Sequence, residues 1–311
     1  MDDINTTFLI SLTIIAIGYL LKRINIIKEK DGEVFSKIIF NITLPAVILK
    51  YTTTVQFEVS FVILPLINIS FGMIMALIGS LITRKKHHST KGLMLMTMIG
   101  FNVVHFSFPL VEGIWGDQGM QLITLVDAGN AFSIFVLSYI LGTIYSPTNA
   151  AEQNRVSLRF IGKKLVRSIP LITYAIALLI NISGIIIPTF FSELIDIIAR
   201  ANVALSLLLL GILLRFKFER TEWTTILKVL IARYSSGIFF SLILFFLLPT
   251  SIFSPLFRII IAISLILPIG VAIIPFSIEL GYNEKVATML VNLSLVISFI
   301  LVWIFVLFLS G

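Results

Sequence analysis

Apolar runs long enough to cross a bilayer follow one another along almost the whole 311-residue chain, separated by short polar connections. A helix needs roughly 20 apolar residues to span the hydrocarbon core. On that measure the pattern predicts about ten transmembrane helices, over 7–22, 34–51, 59–82, 92–114, 119–143, 168–187, 199–214, 226–248, 256–278 and 286–309. Several contain internal Pro, Gly or Asn, which a membrane helix tolerates when its neighbours satisfy the freed backbone groups. Composition agrees: 58% of residues are hydrophobic, 13% are charged and the mean hydropathy is +1.07. No single soluble core hides that much apolar surface. The expected fold class is an all-α integral membrane protein.

Charge then orients the segments. Lys22, Arg23, Lys28, Lys30 and Lys37 lie in or beside the first connection, and Arg84, Lys85, Lys86 and Lys91 in the third. Arg155, Arg159, Lys163, Lys164 and Arg167 fall in the fifth, and Arg215, Lys217, Arg220 and Lys228 in the seventh. The odd connections thus hold 18 of the 23 basic residues. The second, fourth and sixth carry Glu58, Glu112, Asp117, Glu193 and Asp196 instead. Basic loops stay in the cytoplasm, so both termini are expected outside. The net charge of +7 is therefore read as a topology signal, and no nucleic-acid partner is expected. The acidic start Met1-Asp2-Asp3 lacks the basic region of a cleaved signal peptide, so the first run is expected to remain as a helix.

The longest connection, 144–167, divides the chain into 1–143 and 168–311, each with five expected crossings. Because five is odd, a duplicated unit must enter the membrane the second time upside down, an arrangement common among secondary transporters. Traces of duplication are visible. Phe108-Pro109-Leu110 followed by Gly116 parallels Ile274-Pro275-Phe276 followed by Gly281, and Asn41/Pro45 parallels Asn202/Ser206 at the same spacing.

Polar groups within a span are costly unless they face a partner or a cavity. In the fourth segment, Gly100-Phe101-Asn102-Val103-Val104-His105-Phe106-Ser107-Phe108-Pro109, the proline ring clashes with the His105 carbonyl. In the ninth, Pro268 and Pro275 disturb the carbonyls of Ser264 and Val271, with Gly270 between them. Both segments are expected to break near mid-membrane, exposing N–H groups to an anion and carbonyls to a cation. A packing kink is the competing account of one proline, and two matching breaks weigh against it. Asp127-Ala128-Gly129-Asn130 places a carboxylate and a carboxamide on one helix face. Asp127 is the candidate proton or cation site, with a structural hydrogen bond as the alternative. His105 is either a titrating group or a packing residue. Lys50, Arg200, Arg233 and Arg258 are expected to extend their charges toward the interface. His87-His88 reads as solvated loop, and the N-x-S/T matches at Asn41 and Asn292 fall inside spans. The chain contains no cysteine, no phosphate-binding G-x-x-x-x-G-K-S/T loop and no H-E-x-x-H or G-x-S-x-G motif, so no enzyme activity is expected.

At these residues the chain resembles the auxin efflux carrier family, which includes PIN-type carriers and bacterial malate-permease-like transporters. The resemblance rests on Gly18-Tyr19-Leu20-Leu21, Phe40-Asn41-Ile42-Thr43-Leu44-Pro45-Ala46, Asn102 before Pro109-Leu110, Gly116, Asp127-Ala128-Gly129-Asn130, Pro268, Pro275 and Gly281-Tyr282. Ser107 and Ser206 depart from it, standing where the family usually has Gly and often has Pro. It implies two inverted five-helix repeats with broken, crossing helices four and nine. It also implies alternating-access transport of small organic anions, typically carboxylates, across the plasma or inner cell membrane.

The expected substrate site gathers Asn102, His105, Pro109, Pro268, Gly270, Pro275, Asn41 and Asn202, supported by Asp127, Asn130 and Asn292. No cofactor or metal is expected, and coupling to H+ or Na+ is left open. The expected partners are the lipid bilayer and the organic anion, with a homodimer left open. A sodium-coupled carrier of the bile-acid type and a receptor that binds without transport are the alternatives.

Overall fold

The computed structural model of the protein describes residues 2–55, 58–148, 168–215 and 223–310. Residues 149–167 of the expected linker, with Arg155, Arg159, Lys163, Lys164 and Arg167, lie outside the described residues, as do Lys217 and Arg220.

The described residues are helical apart from their connections and one isolated antiparallel bridge. The order begins with α1 (Asp2–Arg23), α2 (Gly32–Ile38), α3 (Leu44–Thr54), α4 (Ile63–Ile82) and α5 (His88–Ile99). It continues with α6 (Phe108–Phe132), α7 (Tyr139–Ile144), α8 (Ile169–Ser183), α9 (Thr189–Leu213) and α10 (Trp223–Leu247). It ends with α11 (Pro255–Ser264), α12 (Ile273–Glu279) and α13 (Glu284–Ser310). Wider π-helical turns at Ile39–Thr43, Val103–Ser107 and Ser133–Ser138 join α2 to α3, lead into α6 and join α6 to α7.

Among the described residues, seven helical segments are long and apolar enough to cross a membrane, and Ile169–Ser183 and Pro255–Ser264 are shorter apolar helices. The measure falls below ten partly because the ninth expected span is two short pieces, α11 and α12. The fourth and fifth expected spans also lie end to end in one stretch, Val103–Ile144, that counts as a single segment. Inside it Gly116 has φ 54° and ψ −143°, which interrupts the helix where the sequence places the connection between those two spans. Only a residue without Cβ adopts that conformation cheaply.

The chain gathers into two compact units, each drawing on separated stretches of sequence. In their described parts, one unit takes Met1–Val62, Val103–Ala128 and Val166–Leu214, and the other Ile63–Asn102, Gly129–Leu165 and Arg215–Gly311.

In the first unit α1 packs on α9 through two glycines. A Cβ built on Gly18 would stand 2.4 Å from the Leu208 carbonyl oxygen, and one on Gly211 would stand 2.1 Å from that of Ile15. Small residues at such crossings let backbones touch, which replaces the hydrophobic drive that lipid cannot supply. The ends of α3 and α9 are also capped from outside their own helices. Asn181 Nδ2 donates to the carbonyls of Thr52 (3.1 Å), Thr53 (2.9 Å) and Val55 (2.8 Å), and the Lys22 ammonium to that of Leu214. These are carbonyls at helix ends, which lack intrahelical partners.

The expectation that Lys50 and Arg200 reach for the interface is refined by a local ion-pair cluster. Lys50 Nζ lies 2.8 Å from Asp196 and 3.9 Å from Asp117, Arg200 pairs with Asp196, and the Tyr51 hydroxyl donates to Asp117 (3.2 Å). Outward faces of several helices are apolar: Leu9, Ile10 and Leu20 on α1, Phe190 and Ile197 on α9, and Ile300, Ile304 and Phe308 on α13. That surface would be a liability in water and is the ordinary outer face of a helix in lipid.

Candidate functional site: a pair of interrupted segments

The second unit contains both expected breaks, and they meet. Helix α5 stops at Ile99, and Gly100 turns to an extended conformation (φ −90°, ψ 158°). Helix α11 stops at Ser264, four residues before Pro268, where the proline ring forbids the next turn. Phe101 and Ile269 then form an antiparallel bridge, and the Asn102 amide donates to the Pro268 carbonyl at 2.8 Å. Two short stretches of strand-like backbone thus sit among helices.

Buried main-chain groups outside a helix need partners, and side chains supply them here. The Asn130 carboxamide pairs with both polar atoms of Phe101: its Oδ1 accepts from the Phe101 N–H (2.8 Å), and its Nδ2 donates to the Phe101 carbonyl (2.9 Å). One side chain thereby does the work of a neighbouring strand. Across the bridge, the Ser294 hydroxyl accepts from the Ile269 N–H at 3.0 Å.

Packing fixes the same joint. A Cβ on Gly100 would fall 2.2 Å from Ile134 Cγ1, and one on Gly270 would fall 2.8 Å from Ile134 Cδ1 and 3.3 Å from the Phe101 carbonyl oxygen. The Ile134 side chain therefore lies against both glycines, one from each interruption. Phe71 of α4 stacks on Phe101, ring centroids 5.8 Å apart. Near Phe71 on α4, the buried Asn68 carboxamide has no hydrogen-bond partner among the described residues, nor has the buried Ser133 hydroxyl, which faces Gly72.

Arg233 completes the joint and is the residue the sequence reading missed. It was expected to reach toward the interface, yet it is only 1% exposed. Its Nη1 donates to the carbonyls of Thr97 (3.1 Å) and Met98 (2.7 Å), and its Nη2 to those of Gly100 (2.9 Å) and Leu267 (3.3 Å). The guanidinium carbon lies 4.3 Å from the centre of the Phe101 ring. The signal was available: Arg233 stands near the middle of the 25-residue α10, with more than two turns of helix on either side. A basic side chain cannot span that distance to water.

The other candidates divide between the units. In the second, Gly270 and Pro268 lie in the interruption, and Pro275 lies in the first turn of α12. Asn292 on α13 donates to the Arg215 carbonyl at 3.3 Å. In the first unit, Pro109 is not at the break, which lies at 100–102. It is the second residue of α6, directly after the π-helical turn Val103–Ser107, whose extra residue opens room ahead of the proline ring. His105 is buried in that turn, edge-on to Phe40 at 5.2 Å between centroids. Asp127 Oδ2 accepts from the Tyr174 hydroxyl at 2.8 Å. Asp127 and Asn130, expected to act together, thus have different partners. Asn202 donates to Thr43 Oγ1 at 2.9 Å and is buried with it. Asn41 is exposed, and its amide turns back to the Lys37 carbonyl at 2.7 Å, so it contributes no group to a buried site.

A polytopic helical protein with interrupted segments meeting inside it has the makings of a transporter. Residues 4–306 match the family described as Membrane transport protein. The chain belongs to this family of auxin-efflux-carrier-like membrane transporters. It is 24% identical over 214 residues to an uncharacterized transporter of Methanocaldococcus jannaschii, covering 66% of this chain and 67% of that protein. It is also 24% identical over 222 residues to an uncharacterized transporter of Methanothermobacter thermautotrophicus, covering 69% of each. The protein is a multi-pass membrane transporter.

Proposed function

We propose that this transporter is a secondary or facilitative carrier of small organic anions, carboxylates above all, working by alternating access without ATP and without enzymatic chemistry. The observation that carries the reading is the bridge between Phe101 and Ile269, where two apolar segments give up helical hydrogen bonding inside the protein. Such irregular backbone at depth is tolerated where it is enclosed by protein or lines a path for solute. Here it comes with a buried guanidinium and with polar groups on Asn68 and Ser133 that no atom of the described residues satisfies. The substrate carboxylate is placed beside Asn102 and Gly270. The basic odd-numbered connections support a cell-membrane orientation with both termini outside.

Flux of radiolabelled carboxylates into proteoliposomes tests the reading, comparing wild type with Asn102→Ala and Pro268→Ala. A loss of transport in either variant at normal reconstitution supports the assignment. Wild-type rates in both would remove the interruption from the transport path.

A further inference from the structure

Helix α1 holds 22 residues, about 33 Å of helix, which matches a hydrocarbon core about 30 Å thick. Its end at Arg23 therefore falls at the level of the lipid headgroups. The chain turns there in a fixed way. Asn25 takes the left-handed conformation (φ 61°), its N–H donates to the Lys22 carbonyl (3.1 Å), and the Ile26 N–H donates to that of Leu21 (3.0 Å). Paired bonds of this kind close a helix end. The turn displays Ile24 and Ile26, 62% and 67% exposed, on either side of Asn25. The far end of the connection is held as well. The Asp31 carboxylate accepts from the Lys28 N–H (2.8 Å), and Gly32 packs against Ile212 and Leu213 of α9. Along this stretch Arg23, Lys28 and Lys30 are exposed, and none is in an ion pair among the described residues. Lys22 and Lys37 differ, being engaged by the Leu214 carbonyl and by Glu33 (2.8 Å).

We propose that this first connection is a docking site for anionic phospholipid headgroups, in which Ile24 and Ile26 enter the edge of the hydrocarbon while Arg23, Lys28 and Lys30 meet the phosphates. Apolar side chains and cations presented together bind membrane interfaces, the first through burial and the second through attraction to negative lipid. Because both ends of the stretch are fixed, little freedom is lost on binding. Charge alone does not pick out the place. The third connection is more basic, with Arg84, Lys85 and Lys86 and no carboxylate from 83 to 91, but its residues 83–88 carry no hydrophobic side chain. In the first, Glu29 and Asp31 dilute the charge, and the isoleucines add the apolar half of the contact. A bound headgroup steadies the end of α1 from which Lys22 caps α9. The inference goes beyond the carrier reading and draws on it only for sidedness, since the orientation proposed above puts this connection in the cytoplasm.

Melting of the purified full-length protein in a neutral detergent tests this, with dioleoyl phosphatidylglycerol titrated in against dioleoyl phosphatidylcholine and against soluble glycerol phosphate. Wild type is expected to melt higher with phosphatidylglycerol, saturably, and to be unmoved by the other two. Arg23→Gln/Lys28→Gln/Lys30→Gln and Ile24→Ser/Ile26→Ser change only exposed side chains, so both should fold, and each is expected to lose most of that shift. Arg84→Gln/Lys85→Gln/Lys86→Gln removes the same charge elsewhere and is expected to keep it. A wild-type shift retained by either first-connection variant would overturn the proposal, as would an equal loss in the third-connection variant. No shift in wild type, or an equal response to phosphatidylcholine, would overturn it too. Glycerol phosphate reproducing the shift would rule out lipid as the occupant. A micelle has no sides and no flux is measured, so a failed transport assay sinks the carrier reading and leaves the lipid site to its own readout.

Discussion

Replacing Asn130 by Ala removes two hydrogen bonds at once, those to the Phe101 N–H (2.8 Å) and the Phe101 carbonyl (2.9 Å). Both backbone atoms belong to a residue only 1% exposed, so water does not replace the lost partner. A buried polar group left unsatisfied costs about 1–3 kcal/mol. Hydrogen bonds between membrane helices average nearer 0.6 kcal/mol in measured cycles, because the unfolded reference also finds partners. Weighing the two, the expected loss is about 2–4 kcal/mol. Ser294→Ala is the internal standard: it strips one N–H, that of Ile269, and should cost about half as much. Melting in detergent ranks the three proteins, with wild type highest and Asn130→Ala lowest. Hydrogen exchange followed by mass spectrometry localises the effect, since protection at 100–102 should fall in Asn130→Ala. A variant that melts with wild type and keeps that protection would show that the carboxamide does not hold the strand-like backbone in place.

Other substitutions probe different contacts. Gly100→Ala places a methyl 2.2 Å from Ile134 Cγ1 and should destabilise by about 1–3 kcal/mol, with Ile134→Ala restoring melting in the double variant. Gly211→Ala meets the Ile15 carbonyl oxygen at 2.1 Å, where no side chain can yield, so it should cost at least as much. Gly32→Ala, whose nearest neighbours are side-chain atoms at 3.4 Å, should melt like wild type. Asp127→Asn keeps an acceptor for the Tyr174 hydroxyl and should fold. If Asp127 carries the coupling proton, its flux will no longer follow an imposed pH gradient, and an unchanged response removes Asp127 from coupling.

Much of this architecture is legible in the sequence, because lipid imposes a coarse rule: long apolar runs become helices. Pro268 marked its break correctly, since a missing N–H and a ring clash act locally on Ser264, where α11 ends. Pro109 misled for the same reason. Its local effect was absorbed by the π-helical turn at Val103–Ser107, while the real interruption fell at Gly100 and Phe101, where tertiary partners fix the chain. Asn130 and Asp127 were recognisable as polar residues on one face, but spacing along a helix does not reveal which neighbour each will find. Arg233 was passed over by analogy with basic residues at helix ends. Its depth in α10 contradicted that analogy, and only the three-dimensional placement of Thr97, Met98, Gly100 and Leu267 explains why a charge is tolerated there.

The seating of one isoleucine against two glycines has a mechanical consequence. Ile134 lies on Gly100 and Gly270 together, so neither chain segment can slide along the other without lifting the same wedge. The joint is built like a riveted lap seam, in which shear between the two segments has to displace one shared side chain.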